Sequence, residues 1–193
     1  MSKHDVRKML RDMVSGEPVQ VASGRSSIGE MAELAAVAEQ FGYQYADVRR
    51  GDGYLMSLVA DSRPQARERA AQTRAQYPDA ADGGALPPVA PDAFQLLKTR
   101  ITLDLATEYS DMQRLFIASL GITVLAVSVV AALGADTTSL VVAGVVWAVL
   151  MSLIPVANIA GRRYRAKLGA RLTAAGFTSV TDRNGRLRYL PPV

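Results

Sequence analysis

The stretch Ser139–Lys167, SLVVAGVVWAVLMSLIPVANIAGRRYRAK, determines the fold class of the chain. Its residues 140–160 form a run of 21 residues without a charged side chain. A helix of this length spans about 30 Å, which matches the hydrocarbon core of a bilayer. The run leads directly into four basic residues: Arg162, Arg163, Arg165 and Lys167. We therefore predict a transmembrane helix over 140–160 that ends in a basic cluster at the membrane surface.

A second uncharged run, LFIASLGITVLAVSVVAAL, occupies the 19 residues 115–133. Residues 134–139 between the two runs are too few to cross a bilayer, so we expect an antiparallel pair of helices joined by an extracytoplasmic turn. Two adjacent helices without a polar face would need a much larger soluble protein to bury them. The predicted fold class is an integral membrane two-helix α-hairpin with a small cytoplasmic α+β domain built of helices and β-hairpins.

The charge distribution predicts how this hairpin is oriented. Residues 1–92 contain 11 basic and 13 acidic side chains, whereas residues 161–193 contain eight basic side chains and one acidic one. Arg114 precedes the first span and the basic cluster follows the second, so the positive-inside rule places both ends in the cytoplasm and Asp136 on the other side. We expect a multi-pass protein of the inner (cytoplasmic) membrane with both termini cytoplasmic. The lipid bilayer is its first partner, and the basic cluster is a candidate contact to anionic lipid.

Three features of the second span bear on its role. Gly144, Ala148 and Ser152 recur at every fourth position, and such a stripe of small residues favours contact with another helix, either the first span or a second copy. Pro155 lacks an amide hydrogen and is expected to kink the helix. Neither span contains an ionisable side chain, which argues against a proton or ion pathway.

The predicted N-terminal cytoplasmic domain comprises residues 1–77. Apolar spacing indicates an amphipathic helix over residues 4–15 that Gly16 ends. The remaining predicted elements are a helix after the Ser27–Glu30 capping box, two strands over 43–48 and 54–60 joined as a hairpin, and a helix from Ser62 and Pro64 to about Gln76.

Three further segments complete the predicted organisation. Residues 78–91 form a Pro/Gly linker, and residues 92–114 form a juxtamembrane helix that runs into the first span. Residues 161–193 form a basic helix followed by a β-hairpin that turns at Asn184–Gly185. Because an isolated two-stranded hairpin is marginal in water, we expect this hairpin and the N-terminal one to assemble into one α+β unit.

The composition argues against several classes of catalysis. The chain contains no Cys and a single His, His4, so we expect no zinc site and no Ser-His or Cys-His nucleophile. No paired carboxylates suggest acid–base chemistry. We predict no cofactor, no metal and no enzymatic activity. The excess of 18 Arg over 4 Lys is typical of a GC-rich, bacterial genome.

The leading functional hypothesis is a non-enzymatic membrane anchor or scaffold whose cytoplasmic module binds a protein partner or forms a homo-oligomer. As an alternative, the two spans, the short turn and the basic tail resemble the layout of two-span phage holins, which implies a small pore-forming protein; the long N-terminal domain departs from that layout. A second alternative is membrane-tethered nucleic-acid binding through the basic helix and Arg183, Arg186 and Arg188. We do not expect nucleic acid, because lipid headgroups compete for the same charges.

Overall fold

The computed structural model describes residues 3–23, 27–134, 136–182 and 185–191. The described elements are α1 (Lys3–Asp12), β1 (Val19–Ser23), α2 (Ile28–Gln40), β2 (Tyr43–Arg50), β3 (Tyr54–Ala60), α3 (Pro64–Gln76), α4 (Pro91–Ala106), α5 (Asp111–Leu133), α6 (Thr137–Ala174), β4 (Thr178–Thr181) and β5 (Leu187–Leu190). The chain divides into two compact units. We name Met1–Ala106 with Arg171–Val193 the α+β unit, and Thr107–Ala170 the helical hairpin.

The α+β unit is built on a three-stranded antiparallel sheet in the order β1-β3-β2. Buried side chains from all three strands share one face, on which Val19 and Tyr45 both lie opposite Leu58, and Val48 lies opposite Met56. Helices α2 and α4 pack against each other and against β2. The C-terminal strands β4 and β5 form a separate two-stranded sheet in the same unit.

A β-bulge in β2 keeps one carboxylate out of this core. The pairing of β2 with β3 shifts register between Tyr45 and Asp47, so Ala46 is the extra residue. Side chains alternate between the two faces of a strand, and an uninterrupted β2 would place Asp47 on the same face as Tyr45. The bulge places Val48 there instead, and Asp47 becomes available for the contacts described below.

Most local predictions for the α+β unit are confirmed. Helix α1 continues into a 3₁₀ turn that ends at Gly16, whose φ is 77°. Ser27 begins α2 with the predicted capping box, in which the Glu30 amide donates to Ser27 Oγ at 3.2 Å and the Ser27 amide donates to Glu30 Oε2 at 2.9 Å. Strand β1 was missed, because VQVAS offers only two alternating apolar residues and becomes a strand by pairing with β3.

The stretch predicted as one juxtamembrane helix over 92–114 contains two helices. Helix α4 ends at Ala106, and α5 begins at Asp111. A second capping box explains the break: the Gln113 amide donates to Ser110 Oγ at 3.2 Å, and the Ser110 amide donates to Gln113 Oε1 at 2.9 Å. Such a box satisfies amides at the start of a helix and so favours a new helix at this point.

Residues 78–91, predicted as a linker, lie against the α+β unit. They contain a 3₁₀ turn at Ala80–Asp82, and Leu86 and Val89 pack against its core. The Gln40 amide Nε2 also donates to the carbonyl of Pro88 at 2.8 Å. Pro87 and Pro88 therefore lie in an irregular segment that is held in place by contacts with the core.

Gly42 is a position where a methyl group should be costly. Its φ is 87°, and an added Cβ would lie 2.8 Å from the Ala70 Cβ. We expect Gly42→Ala to combine backbone strain with a collision, and such overpacking costs about 1–3 kcal/mol. Gly16→Ala is the matched control, because φ is 77° there but no atom lies within 4 Å of an added Cβ. Thermal unfolding of the full chain in detergent should show a larger loss for Gly42→Ala; equal losses would show that the collision is absent.

Candidate functional site

Helices α5 and α6 are long and apolar enough to cross a membrane. Their apolar side chains are largely exposed, and the most apolar window of α5 is 0% buried and that of α6 is 6% buried. The exposed residues include Phe116, Ile117, Leu120, Val124, Val127, Leu140, Val141, Val145, Val149, Leu153 and Val156. A contiguous apolar surface of this kind marks a site of interaction with lipid or protein rather than ordinary solvent-facing surface.

Side-chain contacts tie α5 and α6 together within the helical hairpin. Trp147 Nε1 donates to Thr123 Oγ1 at 3.2 Å, which joins the middle of α5 to the first third of α6. At one end, Arg162 Nε donates to Asp111 Oδ2 at 2.8 Å and Arg165 Nη2 donates to Asp111 Oδ1 at 2.7 Å. These contacts place the start of α5 beside the basic cluster of α6, as an antiparallel arrangement requires.

The predicted small-residue stripe does not face α5. Gly144, Ala148 and Ser152 are exposed, and an added Cβ at Gly144 would meet no atom within 4 Å. The Ser152 hydroxyl donates to the Val149 carbonyl of its own helix at 2.7 Å. The stripe therefore lies on a surface of α6 that α5 does not cover, and its contact with another copy stays a prediction. Pro155 lies inside α6, and its predicted kink likewise stays a prediction.

The four residues of the basic cluster differ in their surroundings. Arg162 and Arg165 are bound to Asp111, and Arg165 is the one of the four that is partly buried; Arg162, Arg163 and Lys167 are exposed. The basic cluster was predicted from the sequence, but its ion pairs with Asp111 were not. The Ser110–Gln113 capping box was the available signal, since it places Asp111 in the first turn of a new helix.

The α+β unit contains an open cleft beside the end of α1. Two adjoining cavities of about 590 and 330 Å³ share Met13, Val14, Phe41 and Arg74 as lining residues. The walls come from α1 and its 3₁₀ turn, from α3 and from the Phe41–Gly42 end of α2. Val14 is an apolar side chain, yet 84% of it is exposed.

Hydrogen bonds hold the walls of this cleft in place. The Tyr43 hydroxyl donates to the carbonyls of Met13 at 2.9 Å and Glu17 at 3.1 Å. Burial raises the pKa of Tyr43, so the phenol stays protonated and keeps donating at neutral pH. On the opposite wall, Arg74 Nη2 donates to the Phe41 carbonyl at 3.0 Å. The cleft therefore has a fixed shape with a largely apolar floor.

The charges around the cleft are mainly positive. Arg67 and Arg74 line it together with one acidic residue, Asp61. Asp61 forms an ion pair with Arg63 at 2.7 Å, and hydrogen bonds from Arg63 hold the pKa of this carboxyl below its ordinary value. The Asp61 charge is thus balanced by Arg63, and the lining keeps an excess of positive charge.

A buried polar cluster lies between β2 and α4 inside the α+β unit. The Tyr45 hydroxyl donates to Asp104 Oδ2 at 2.7 Å. The Arg100 guanidinium lies 4.8 Å from the centre of the Tyr45 ring and 5.9 Å from that of Phe177, within cation–π range. Burial raises the pKa of Asp104, raises that of Tyr45 well above its usual range and lowers that of Arg100.

Two arginines of the C-terminal hairpin complete this cluster. Arg186 Nη2 donates to the Asp104 carbonyl at 2.6 Å and to the Val48 carbonyl at 3.3 Å. Arg188 donates to the Ala46 carbonyl, and both arginines form ion pairs with Asp47, at 3.4 Å from Arg186 and 3.2 Å from Arg188. The bulge in β2 thus presents carbonyls and a carboxylate to β5, and the hairpin docks through them.

These contacts indicate a structural role for the cluster. Arg100 is 4% exposed and Asp104 is 1% exposed, so a substrate has no access to either group. Among residues 3–23, 27–134, 136–182 and 185–191, no group of three or more His, Asp or Glu side chains could hold a metal ion. Arg183 and Asn184, which the sequence analysis assigned to the basic hairpin and its turn, lie outside the described residues.

Comparison of the chain with models of protein families, with curated proteins and with solved structures found no match.

Proposed function

We propose that the protein is a two-span integral membrane protein that holds a partner-binding α+β unit at the cytoplasmic surface of the inner membrane. The observation that carries this proposal is the apolar surface that α5 and the apolar part of α6, residues 140–160, leave exposed. Burial of one Val, Leu or Ile side chain contributes roughly 1.5–3 kcal/mol, so a lipid environment stabilises such a surface strongly. A helix also satisfies its own backbone groups, as hydrocarbon requires.

The charges at the two ends of the helical hairpin support the proposed orientation. The ion pairs of Asp111 with Arg162 and Arg165 bring the start of α5 and the basic end of the apolar part of α6 together. Arg114 adds a further positive charge at this end, whereas the connection between the helices carries Asp136. The positive-inside rule favours a cytoplasmic location for the basic end.

The cleft beside α1 is the proposed partner site. Its floor is apolar, its lining carries Arg67 and Arg74, and Val14 is exposed beside it. This chemistry fits a short segment of a partner protein in which apolar side chains are flanked by carboxylates. We propose anchoring and binding rather than catalysis, since Tyr45 and Asp104, whose pKa values burial raises, are enclosed in the core.

Two sets of contacts count against the alternative functions. The Ser119, Thr123 and Ser128 hydroxyls of α5 donate to carbonyls one turn earlier in their own helix, at 2.8–2.9 Å, so their protons are not available to donate to water or ions in a pore. In the C-terminal hairpin, Arg186 and Arg188 are engaged by β2, which leaves them poorly placed to bind the phosphates of nucleic acid.

Cysteine labelling tests the proposed topology, because the chain contains no Cys of its own. Gln72→Cys and Thr138→Cys each introduce one thiol at an exposed position, on α3 and at the start of α6. A membrane-impermeant maleimide applied to intact spheroplasts should label Thr138→Cys and not Gln72→Cys; permeabilised cells should show both. Labelling of both before permeabilisation, or of Gln72→Cys alone, would contradict the proposed orientation.

Photo-crosslinking tests the cleft. A photoreactive residue at position 14 should capture one partner segment that is apolar and acidic, and Arg67→Glu should reduce capture at least fivefold by reversing a charge in the lining. Arg69→Glu makes the same change on the same helix outside the lining and should have no effect. Equal effects of the two reversals would contradict a specific site, and capture of a second copy of this chain would assign the cleft to self-association.

A further inference from the structure

A cavity of about 210 Å³ lies between α5 and α6 at the basic end of the helical hairpin. The apolar part of its lining consists of Leu115 and Ile154 together with the short residues Ala118, Ala157 and Gly161. The polar part consists of Arg114, Asn158 and Arg165. The cavity therefore places two guanidinium groups and one amide beside an apolar space between two helices.

The charges at this cavity do not cancel. Arg162 and Arg165 share the single carboxylate of Asp111, which leaves a net charge of +1 on these three side chains. The Arg165 side chain is only 16% exposed, and charges act more strongly on each other where water is partly excluded. An anionic group in the cavity would offset this excess.

We propose that this cavity binds the phosphodiester headgroup of an anionic phospholipid, an inference that rests on the proposed insertion of α5 and α6 into a membrane. The arginine fork matches phosphate oxygens in geometry and charge, and the Asn158 amide can donate to a glycerol or ester oxygen. The short apolar residues leave room for the first methylene groups of an acyl chain. Basic pockets between membrane helices on the cytoplasmic side suit such headgroups.

The proposed site is more specific than a general attraction of the basic cluster to the membrane surface. It assigns binding to Arg114, Asn158 and Arg165, which line the cavity. Arg163 lies on the same turn of α6 as Arg165, but it is exposed and does not line the cavity. The two arginines therefore provide a matched pair for an experiment.

The experiment is native mass spectrometry of the full chain purified in mild detergent and supplied with phosphatidylglycerol or phosphatidylcholine. The wild-type chain should retain one phosphatidylglycerol in preference to phosphatidylcholine. Arg114→Gln and Arg165→Gln should each lower this retention about fivefold, the factor that corresponds to about 1 kcal/mol per basic residue. Arg163→Gln should leave it unchanged. Equal losses for Arg163→Gln and Arg114→Gln, or equal retention of the two lipids, would overturn the proposal.

A change in volume tests the site without changing a charge. Gly161→Leu should fill the cavity and lower phosphatidylglycerol retention at least fivefold, because no atom lies within 4 Å of an added Cβ and the side chain can be accommodated. Ala160→Leu, at an exposed neighbouring position outside the lining, is its control. If Gly161→Leu retains phosphatidylglycerol like the wild type, the lipid does not occupy this cavity.

Two further arms separate the remaining outcomes. Inorganic phosphate in tenfold excess over lipid should leave phosphatidylglycerol bound, because phosphate cannot use the apolar part; displacement would assign the site to free phosphate instead. Alkaline extraction of membranes containing each variant reports insertion independently. A chain that resists extraction but shows no lipid preference would refute the lipid site alone, whereas a chain that is extracted would refute the membrane insertion on which the site depends.

Discussion

Val124→Arg should prevent the connection between α5 and α6 from crossing the membrane. Val124 lies near the middle of α5 and is 56% exposed. In water, a substitution at such a surface position usually changes stability by no more than about 0.5 kcal/mol. At the centre of a membrane helix, an arginine costs about 2.5–3.5 kcal/mol, which lowers insertion by roughly two orders of magnitude. The same substitution is therefore tolerated in water but strongly unfavourable in a membrane.

External maleimide labelling of Thr138→Cys measures this effect in intact spheroplasts, with and without Val124→Arg. Met112→Arg is the matched control, since Met112 is 78% exposed in the first turn of α5, where an arginine can reach the membrane surface. We expect labelling to be lost with Val124→Arg and kept with Met112→Arg. If the two variants are labelled equally, α5 does not lie in hydrocarbon.

The elements that could be predicted from the sequence are those with local signals. Gly16 ends α1, the Ser27 capping box begins α2, and the apolar runs appear as α5 and α6. The structure differs from the prediction at two elements, strand β1 and the start of α5. Strand β1 owes its conformation to the edge of β3, which no short window reveals, whereas the break before α5 had a local signal in Ser110 and Gln113 that went unused.

The contacts that hold the α+β unit together could not be predicted in the same way. Arg186 contacts the carbonyls of Val48 and Asp104, which are 138 and 82 residues away in the chain. The contact to Val48 depends on a bulge at Ala46, and nothing in the spacing of β2 indicates that bulge. The assembly of the C-terminal hairpin with the N-terminal part was expected because an isolated hairpin is marginal in water. The two parts belong to one compact unit, and the Arg186 contacts connect them.

Asp104→Ala should destabilise the α+β unit by about 3–5 kcal/mol, because removal of one partner leaves a buried charge uncompensated. Arg100 would lose its nearby carboxylate, and the Tyr45 hydroxyl would lose its acceptor. Asp82→Ala is the control, since the Asp82–Arg11 ion pair is exposed at both side chains and such pairs contribute at most about 1 kcal/mol. Urea unfolding of the full chain in detergent, followed by tyrosine circular dichroism, should separate the two variants. If Asp104→Ala and Asp82→Ala lose similar amounts of stability, the charges around Asp104 do not form a desolvated ion network.

The stability of Asp104→Asn, compared with that of the wild type as the pH changes, tests the same cluster. Burial raises the pKa of Asp104 above its ordinary value of 3.8, so the folded chain holds this proton more tightly than the unfolded chain does. The wild type therefore loses stability as the pH rises through the folded-state pKa, whereas the Asn variant has no proton to lose at this position. The deficit of Asp104→Asn relative to wild type should accordingly shrink as the pH is raised from 4 towards 7. A deficit that grows over this range would mean that the carboxylate, rather than the neutral acid, is the form that the folded chain stabilises.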